Sequence, residues 1–131
     1  MKSIIPSIYV ENCKEALEFY KGVFGGELKN VQLADNIEMF KGHEGKIIHA
    51  ELHINEGCVL YFVDLFDEKK DNSGIQLVLE LDNEDEINKV YSALSKNGSV
   101  GFELQKTFWG AFHAVVTDSY GITWGLNYTV R

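Results

Sequence analysis

Apolar and polar residues alternate along several short stretches of the chain, which is the pattern of strands with one buried face. Such strands are predicted over residues 4–10, 27–33, 47–54, 58–63, 75–81 and 100–104. The run from Thr107 to Asn127 predicts two more strands, joined by a turn at 118–121 that begins with an acceptor side chain and ends with glycine. Trp124 alternates onto the apolar face of this hairpin and is predicted to be core. Residues 34–45 and 64–73 predict loops.

Two other stretches have apolar residues spaced three and four positions apart, which predicts amphipathic helices. The first helix follows Asn12, which we predict to be its N-cap, with Glu15 completing a pair like a capping box. The glycines at 25–26 are predicted to end it. The second helix is predicted to be capped by Asn83 and to run to Ser95 before an Asn-Gly stop.

The two halves of the chain repeat one unit, made of a strand, an Asn-capped helix, a glycine and three strands. Val10-Glu11-Asn12 matches Leu81-Asp82-Asn83, and in the same register Tyr20 matches Tyr91. An internal repeat of this kind determines the fold. Chance similarity of two strand–helix units is the alternative, because this arrangement of caps and glycines is common.

The repeat predicts an α+β domain of two βαβββ modules, residues 1–66 and 74–131, within a single domain of 131 residues. Each module is too small to bury its own sheet face. We therefore predict that the two modules pack edge to edge into a curved, cup-like mixed sheet with the helices outside.

The formal net charge of −8 opposes binding to nucleic acid and to anionic membrane surfaces, both of which require clustered Lys and Arg. No apolar run approaches the roughly 20 residues of a membrane span, and the N-terminus is too soon interrupted by Pro6 for a signal peptide. Cys13 and Cys58 fit neither a zinc spacing nor a C-x-x-C pair, so we predict reduced thiols. These features predict a soluble cytoplasmic protein.

One predicted strand carries a polar face that could perform chemistry. His49, Glu51 and His53 alternate along it, so all three point to one side, while Ala50 and Leu52 point to the other, toward a helix. A His beside a carboxylate is a candidate for proton transfer, so His49 and Glu51 are the candidate catalytic residues and His53 a ligand contact. The same face could hold a displaced metal ion between His49 and Glu51 or between Glu51 and His53. The alternative to both is a partly solvated polar face in which Glu51 orients a His, because metal sites normally need three or four convergent ligands.

Further residues are predicted to contact a ligand in the cup. They are Tyr61, Gln76, Gln105, Trp109 and His113. Tyr61 brings a hydroxyl and Trp109 an aromatic wall, with ordinary core packing as the alternative for Trp109. For His113 the alternative is a structural role.

Four stretches carry a family resemblance: N-C-K-E-A-L-E-F-Y-K-G-V-F-G-G-E at 12–27, H-A-E-L at 49–52, Q-K-T-F-W-G-A at 105–111 and V-T-D-S-Y-G-I-T-W at 116–124. Together they resemble the vicinal oxygen chelate superfamily, which includes glyoxalase I, ring-cleaving dioxygenases and bleomycin-resistance proteins, and within it the PhnB-like group. The resemblance covers nearly the whole chain and implies the vicinal oxygen chelate fold and a homodimer. His113 departs from the apolar or aromatic residue usual in the group.

The resemblance also implies where a metal site would lie, with one side chain on the first strand and one on the fourth strand of each half. These positions correspond to Ile5, Gln76, Tyr61 and Gly125 in this chain. Ile5 and Gly125 cannot ligate a metal through a side chain, and Gln76 and Tyr61 are weak or uncommon ligands. We therefore predict no metal and no cofactor, a divalent metal being the less favoured alternative.

Three hypotheses for function follow, since a fold does not by itself carry an activity. The preferred one is a small-molecule-binding protein with a degenerate metal site that sequesters or carries a partly aromatic ligand. The second is a glyoxalase- or dioxygenase-type enzyme acting on a small oxygenated substrate through the His49, Glu51 and His53 face. The third is an interaction domain that acts through its dimer surface. The methyltransferase label often given to PhnB-like chains is set aside, because no Gly-rich adenosyl-cofactor loop follows a strand.

Overall fold

The computed structural model describes residues 1–66 and 74–130, which belong to two compact units. The first unit contains β1 (Ser7–Val10), α1 (Cys13–Phe24), β2 (Glu27–Leu33), a short 3-10 helix (Glu38–Phe40), β3 (Ile47–Asn55) and β4 (Cys58–Asp64). The second contains β5 (Leu77–Glu80), α2 (Glu84–Ser95), β6 (Ser99–Lys106), β7 (Ala111–Thr117) and β8 (Thr123–Thr129). The predicted α+β fold of two βαβββ modules is confirmed.

Each unit contains a four-stranded mixed sheet with the same topology. The strand order is β1-β4-β3-β2 in the first unit and β5-β8-β7-β6 in the second. In both, the first strand runs parallel to the last one of its unit, and the remaining pairs are antiparallel. The registers also correspond, because Ala50 lies opposite Phe62 in the first unit and Ala114 lies opposite Leu126 in the second. The sequence repeat is therefore a structural repeat at the level of single residues.

In each unit the helix covers one face of its own sheet. The buried residues of the first core include Ala16, Leu17, Tyr20, Ala50, Leu52 and Phe62. The rings of Tyr20 and Phe62 stack with their centroids 5.1 Å apart. The second core includes Ile87, Val90, Leu94, Ala114, Val116, Trp124 and Leu126. Burying a large apolar side chain contributes about 1.5–3 kcal/mol to folding. Trp124 is fully buried, so its predicted core position is confirmed.

The N-terminus of α1 is not capped as predicted. Asn12 adopts a left-handed conformation with φ of 52°, its side chain caps no backbone amide, and its Nδ2 donates to Glu15 Oε2 at 2.9 Å. The amide of Cys13 instead donates to Asp64 Oδ1 at the end of β4, at 2.9 Å, while Asp64 Oδ2 accepts from the amide of Ile47 at 2.7 Å. A negative charge also suits the positive end of the helix dipole. A carboxylate from a distant strand thus replaces the local cap.

The N-terminus of α2 is capped by the predicted residue. Asn83 Oδ1 accepts from the amide of Glu86 at 2.8 Å, and Glu86 Oε1 accepts from the amide of Asp82 at 2.8 Å. Two amides at the start of the helix are therefore satisfied by neighbouring side chains.

Several predicted boundaries need correction. β1 and β5 are shorter than the predicted strands 4–10 and 75–81, and β6 extends past both ends of the predicted strand 100–104. Asp64, predicted to begin a loop, is instead the buried last residue of β4. Residues 67–73 of that predicted loop lie outside the described part of the chain.

The two cysteines are free thiols in different environments, Cys13 buried and Cys58 exposed. Burial, and secondarily the nearby charge of Asp64, raises the pKa of the Cys13 thiol to about 12. Cys13 therefore stays protonated at neutral pH and packs as a small apolar side chain.

Neither α1 nor α2, the two α-helices of the described residues, has the length and apolar character needed to cross a lipid bilayer.

Candidate functional site

The polar residues of β3 lie on the sheet face opposite α1. Ala50 and Leu52 are fully buried on the helix side, and His49, Glu51 and His53 alternate with them. The side chains of both imidazoles are 30% exposed and that of Glu51 is 12% exposed. The face is therefore partly shielded but accessible, and its direction relative to the helix is as the alternation predicts.

Glu51 is the centre of a hydrogen-bonded group on this face. Its Oε2 lies 2.8 Å from His49 Nε2, and its Oε1 lies 2.7 Å from His53 Nε2 and 3.1 Å from Asn30 Nδ2. The hydrogen bond with His49, followed by those with His53 and Asn30, lowers the pKa of Glu51 to about 2 against the opposing effect of burial. The carboxylate is therefore ionised at neutral pH.

Asn30 reaches Glu51 because β2 is irregular at this point. The pairing of β2 with β3 shifts between Lys29 and Gln32, and Asn30 has a left-handed φ of 52°. An irregularity of this kind redirects a side chain that a regular strand would place elsewhere. Sequence reasoning missed Asn30, and the signal that could have identified it is an Asn, a residue that tolerates positive φ, inside a strand pattern.

Tyr61 completes the group on the neighbouring strand β4. It lies directly opposite Glu51, and its ring meets the ring of His49 edge to face with centroids 4.8 Å apart. On its other side Tyr61 lies opposite Ser7 of β1. The first unit thus brings together four of the predicted site residues, His49, Glu51, His53 and Tyr61.

The second unit groups two other predicted residues, Gln105 and Trp109, around His113. Gln105 of β6 lies opposite His113, and the ring of Trp109 is 6.0 Å from the imidazole between centroids. The ring of Phe102, which sequence reasoning missed, is 5.4 Å from His113. Trp109 is 55% exposed, so core packing does not explain it, and the adjacent Phe108 is 97% exposed.

His49 and His113 occupy equivalent positions of the structural repeat. The strand register places Gln32 opposite His49 and Gln105 opposite His113, so a Gln–His cross-strand pair occurs in each unit. The residue of the second unit equivalent to Glu51 is Val115. Among the residues that the structure describes, only the first unit therefore holds this imidazole against a carboxylate.

The four positions at which the family resemblance implies metal ligands do not fit a divalent ion. Gln76 precedes β5, and its side chain lies over Gly125, so that a Cβ at residue 125 would overlap Gln76 Oε1. Ile5 offers no donor atom, and Tyr61 is an uncommon ligand. Across residues 1–66 and 74–130, no group of three or more His, Cys, Asp or Glu side chains could hold a metal ion.

Comparison with known proteins gives consistent matches over nearly the whole chain. The family model of the Glyoxalase/Bleomycin resistance protein/Dioxygenase superfamily matches residues 4–126. Protein YjdN from Escherichia coli K12 is 27% identical over 131 aligned residues, which cover 91% of this chain and 89% of YjdN.

Two solved structures are similar in fold. The crystal structure of protein PA1353 from Pseudomonas aeruginosa has a TM-score of 0.88 and 28% identity, with all of both chains covered. The PhnB protein from Bacillus cereus has a TM-score of 0.83 and 23% identity, covering 98% of this chain and 100% of its own.

Proposed function

Because the chain belongs to the Glyoxalase/Bleomycin resistance protein/Dioxygenase superfamily, we propose that it is a small-molecule-binding protein whose ligand contacts the polar face of β3. The observation that carries this proposal is the hydrogen-bonded group of His49, Glu51 and His53 beside the ring of Tyr61. A few fixed polar groups next to aromatic surface are typical of small-molecule sites. The ligand is a small, partly aromatic molecule that the protein sequesters or carries.

In the first unit, considered by itself, the proposed ligand contacts are His49, His53 and Tyr61. In the second unit the proposed contact residues are Gln76, Gln105, Trp109 and His113. The aromatic rings of Phe102 and Trp109 beside His113 support this second set, since exposed aromatic surface is favourable for stacking a ring.

The proposed binding requires no metal, and the poor donor chemistry of Ile5, Gln76, Tyr61 and Gly125 supports this. Elemental analysis of protein purified without chelator tests it. We expect less than about a tenth of an equivalent of zinc, iron, manganese, nickel or copper, because the side chains at these four positions are poor metal donors. A stoichiometric metal would contradict the proposal.

A thermal-shift screen of small aromatic and oxygenated molecules tests binding itself. A ligand present at 100 times its Kd should raise the free energy of unfolding by about 2.7 kcal/mol. We expect His49→Ala to remove this stabilisation and the matched control His43→Ala to keep it, because His43 packs on Phe66 and is not part of the hydrogen-bonded group of Glu51. Equal stabilisation of both variants would place the ligand elsewhere.

The second candidate function is a glyoxalase- or dioxygenase-type reaction on a small oxygenated substrate. The contact between the His49 imidazole and an ionised carboxylate supports it, since this arrangement suits proton transfer. Each ligand found in the screen should be incubated with the protein and followed by mass spectrometry. Conversion that is lost in His49→Ala would favour the enzyme, whereas a ligand recovered unchanged would favour binding alone.

We also propose that the protein is a cytoplasmic homodimer. Exposed apolar residues on the edge strands of the two sheets support association. They are Val31 and Leu33 on β2, each 47% exposed, and Val100 and Phe102 on β6, at 43% and 37%. Light scattering coupled to gel filtration should give twice the mass of the chain, and a monomer at micromolar concentration would contradict the dimer.

A further inference from the structure

The hydrogen bonds around Glu51 determine which imidazole nitrogens carry protons. An ionised carboxylate can only accept hydrogen bonds, and both oxygens of Glu51 lie within 2.8 Å of an imidazole nitrogen. Each of these bonds therefore requires a proton on Nε2 of His49 or His53. A neutral imidazole carries one N–H, so its Nδ1 is then an acceptor with a free lone pair.

Neither of the two Nδ1 atoms is fully buried. In the described residues neither Nδ1 of His49 nor Nδ1 of His53 has a hydrogen-bond partner. No buried side-chain nitrogen or oxygen in this same part of the chain lacks a partner, so these unpaired atoms are not buried. The same reasoning applies to the hydroxyl of Tyr61.

We propose that Glu51 is a positioning residue, which holds His49 and His53 as Nε2–H tautomers and so presents their Nδ1 atoms as acceptors to a ligand with a neutral O–H or N–H group. This inference rests on the proposed small-molecule function and names the class of ligand. Glu51 does not act as the base, because three donors already occupy its oxygens. The basic atom nearest a ligand is an imidazole Nδ1.

The ligand class follows from the hydrogen-bonding roles and the charge of the groups on this face. The Nδ1 lone pairs of His49 and His53 and the hydroxyl of Tyr61 are complementary to a ligand that has a hydroxyl, a phenol or an amide N–H. A carboxylate or phosphate ligand would meet these lone pairs and the negative charge of Glu51, so anions are disfavoured.

Nuclear magnetic resonance of the 15N-labelled protein tests the tautomers without any ligand. At about pH 8, long-range 1H–15N spectra should show His49 and His53 as Nε2–H tautomers. In Glu51→Gln one oxygen becomes an NH₂ donor, so we expect at least one of the two imidazoles to change toward the Nδ1–H tautomer. His43 is the internal reference and should not change.

Three results would overturn the positioning role. They are an Nδ1–H tautomer in the unmodified protein, an imidazolium at both positions near pH 8, and unchanged tautomers in a folded Glu51→Gln variant. A purely structural role of Glu51 would not produce the tautomer change.

Titration with three probes of similar size tests the ligand class. Phenol has an O–H donor, anisole replaces it with a methyl ether, and benzoate is an anion. We expect phenol to bind about 3- to 10-fold more tightly than anisole, the ratio for one net hydrogen bond, with shifts at the His49 and His53 nitrogens. Anisole or benzoate binding as tightly as phenol would overturn the ligand class.

The two experiments separate this inference from the proposed function. If the tautomers are as expected but no probe shifts the nitrogen resonances of His49 and His53, the ligand class is overturned and small-molecule binding is contradicted as well. The positioning role of Glu51 would then still stand. Probe binding with the wrong tautomers would leave small-molecule binding intact and overturn the inference.

Discussion

Asp64 accepts a hydrogen bond from the amide of Cys13 across 51 residues of sequence, at 2.9 Å. This contact fixes the start of α1 against the end of β4, and the second oxygen of Asp64 fixes the start of β3 through the amide of Ile47. One buried carboxylate therefore joins three elements of the first unit. Because β3 begins at Ile47, Asp64 also holds in place the start of the strand that carries His49, Glu51 and His53.

Replacing Asp64 with Ala should destabilise the protein strongly. The change leaves two buried amides, those of Cys13 and Ile47, without an acceptor, and each such loss costs about 1–3 kcal/mol. We expect the free energy of unfolding to fall by about 2–4 kcal/mol, allowing for some access of water. Urea unfolding followed by circular dichroism measures it.

Two Asn variants serve as controls for this prediction. Asn83→Ala removes a working N-cap and should cost about 1 kcal/mol. Asn12→Gly removes a side chain that caps nothing and relieves a positive φ, so its effect should be within about 0.5 kcal/mol of zero. A loss at Asn12 as large as that at Asp64 would mean that α1 has a local cap after all.

The contrast between Asn12 and Asn83 shows where sequence reasoning reaches its limit. Each precedes a helix and is followed three residues later by a Glu, so local pattern predicts the same cap for both. Only Asn83 is a cap, because Asp64 takes that role at α1 through a contact between distant parts of the chain. Local propensity carries no information about such a contact.

The candidate site also contains residues that local pattern predicts and residues whose contacts depend on distant parts of the chain. Strand alternation is local, and it correctly placed His49, Glu51 and His53 on the face opposite the helix. The contribution of Asn30 depends on an irregular register between β2 and β3, and the ring of Phe102 reaches His113 across another shifted pairing. Register is set by the whole sheet, so strand alternation alone does not predict the contacts of these two residues.

Gly98 should not tolerate a side chain. A Cβ there would overlap the carbonyl oxygen of Thr117, and at the equivalent Gly26 it would overlap that of His53. Backbone cannot move as a flexible side chain can, so Gly98→Ala and Gly26→Ala should each cost about 1–3 kcal/mol. Gly101→Ala is the matched control on β6, since its nearest neighbour would be 3.5 Å away. Equal stability of the Gly98 and Gly101 variants in urea would contradict the close approach.

Glu51 should make stability depend on pH in acid. Its pKa is lowered from 4.5 to about 2, chiefly by His49 and then by His53. A carboxyl group whose pKa is lower in the folded state stabilises that state above its unfolded pKa and loses this effect as the pH falls. The stability difference between the unmodified protein and Glu51→Gln should therefore decline as the pH falls from about 4.5 toward about 2.

The titratable groups that face Glu51 are His49, His53, Tyr61 and the cross-strand Lys29. Changing both His residues to Ala removes the two largest causes of the shift, so the decline should still begin near pH 4.5 but become smaller and end at higher pH. Urea unfolding at a series of pH values gives both curves. A difference between the unmodified protein and Glu51→Gln that does not change between pH 4.5 and 2 would rule out this role of the carboxylate.

The two Trp residues should report on separate environments. Trp124 is fully buried, and its Nε1 donates to Asp118 Oδ2 at 2.8 Å, whereas Trp109 is 55% exposed. We expect Trp109→Phe to leave a blue-shifted emission that acrylamide quenches weakly, with stability changed by less than about 0.5 kcal/mol. Trp124→Phe should leave a red-shifted, strongly quenched emission and cost about 1–3 kcal/mol, because it opens space in the core and removes a donor from Asp118. Strong quenching in Trp109→Phe would show that the core around Trp124 is open.

Because Trp109 lies 6.0 Å from the His113 ring, a ligand bound at that histidine should also change the Trp109 emission while leaving that of Trp124 unchanged.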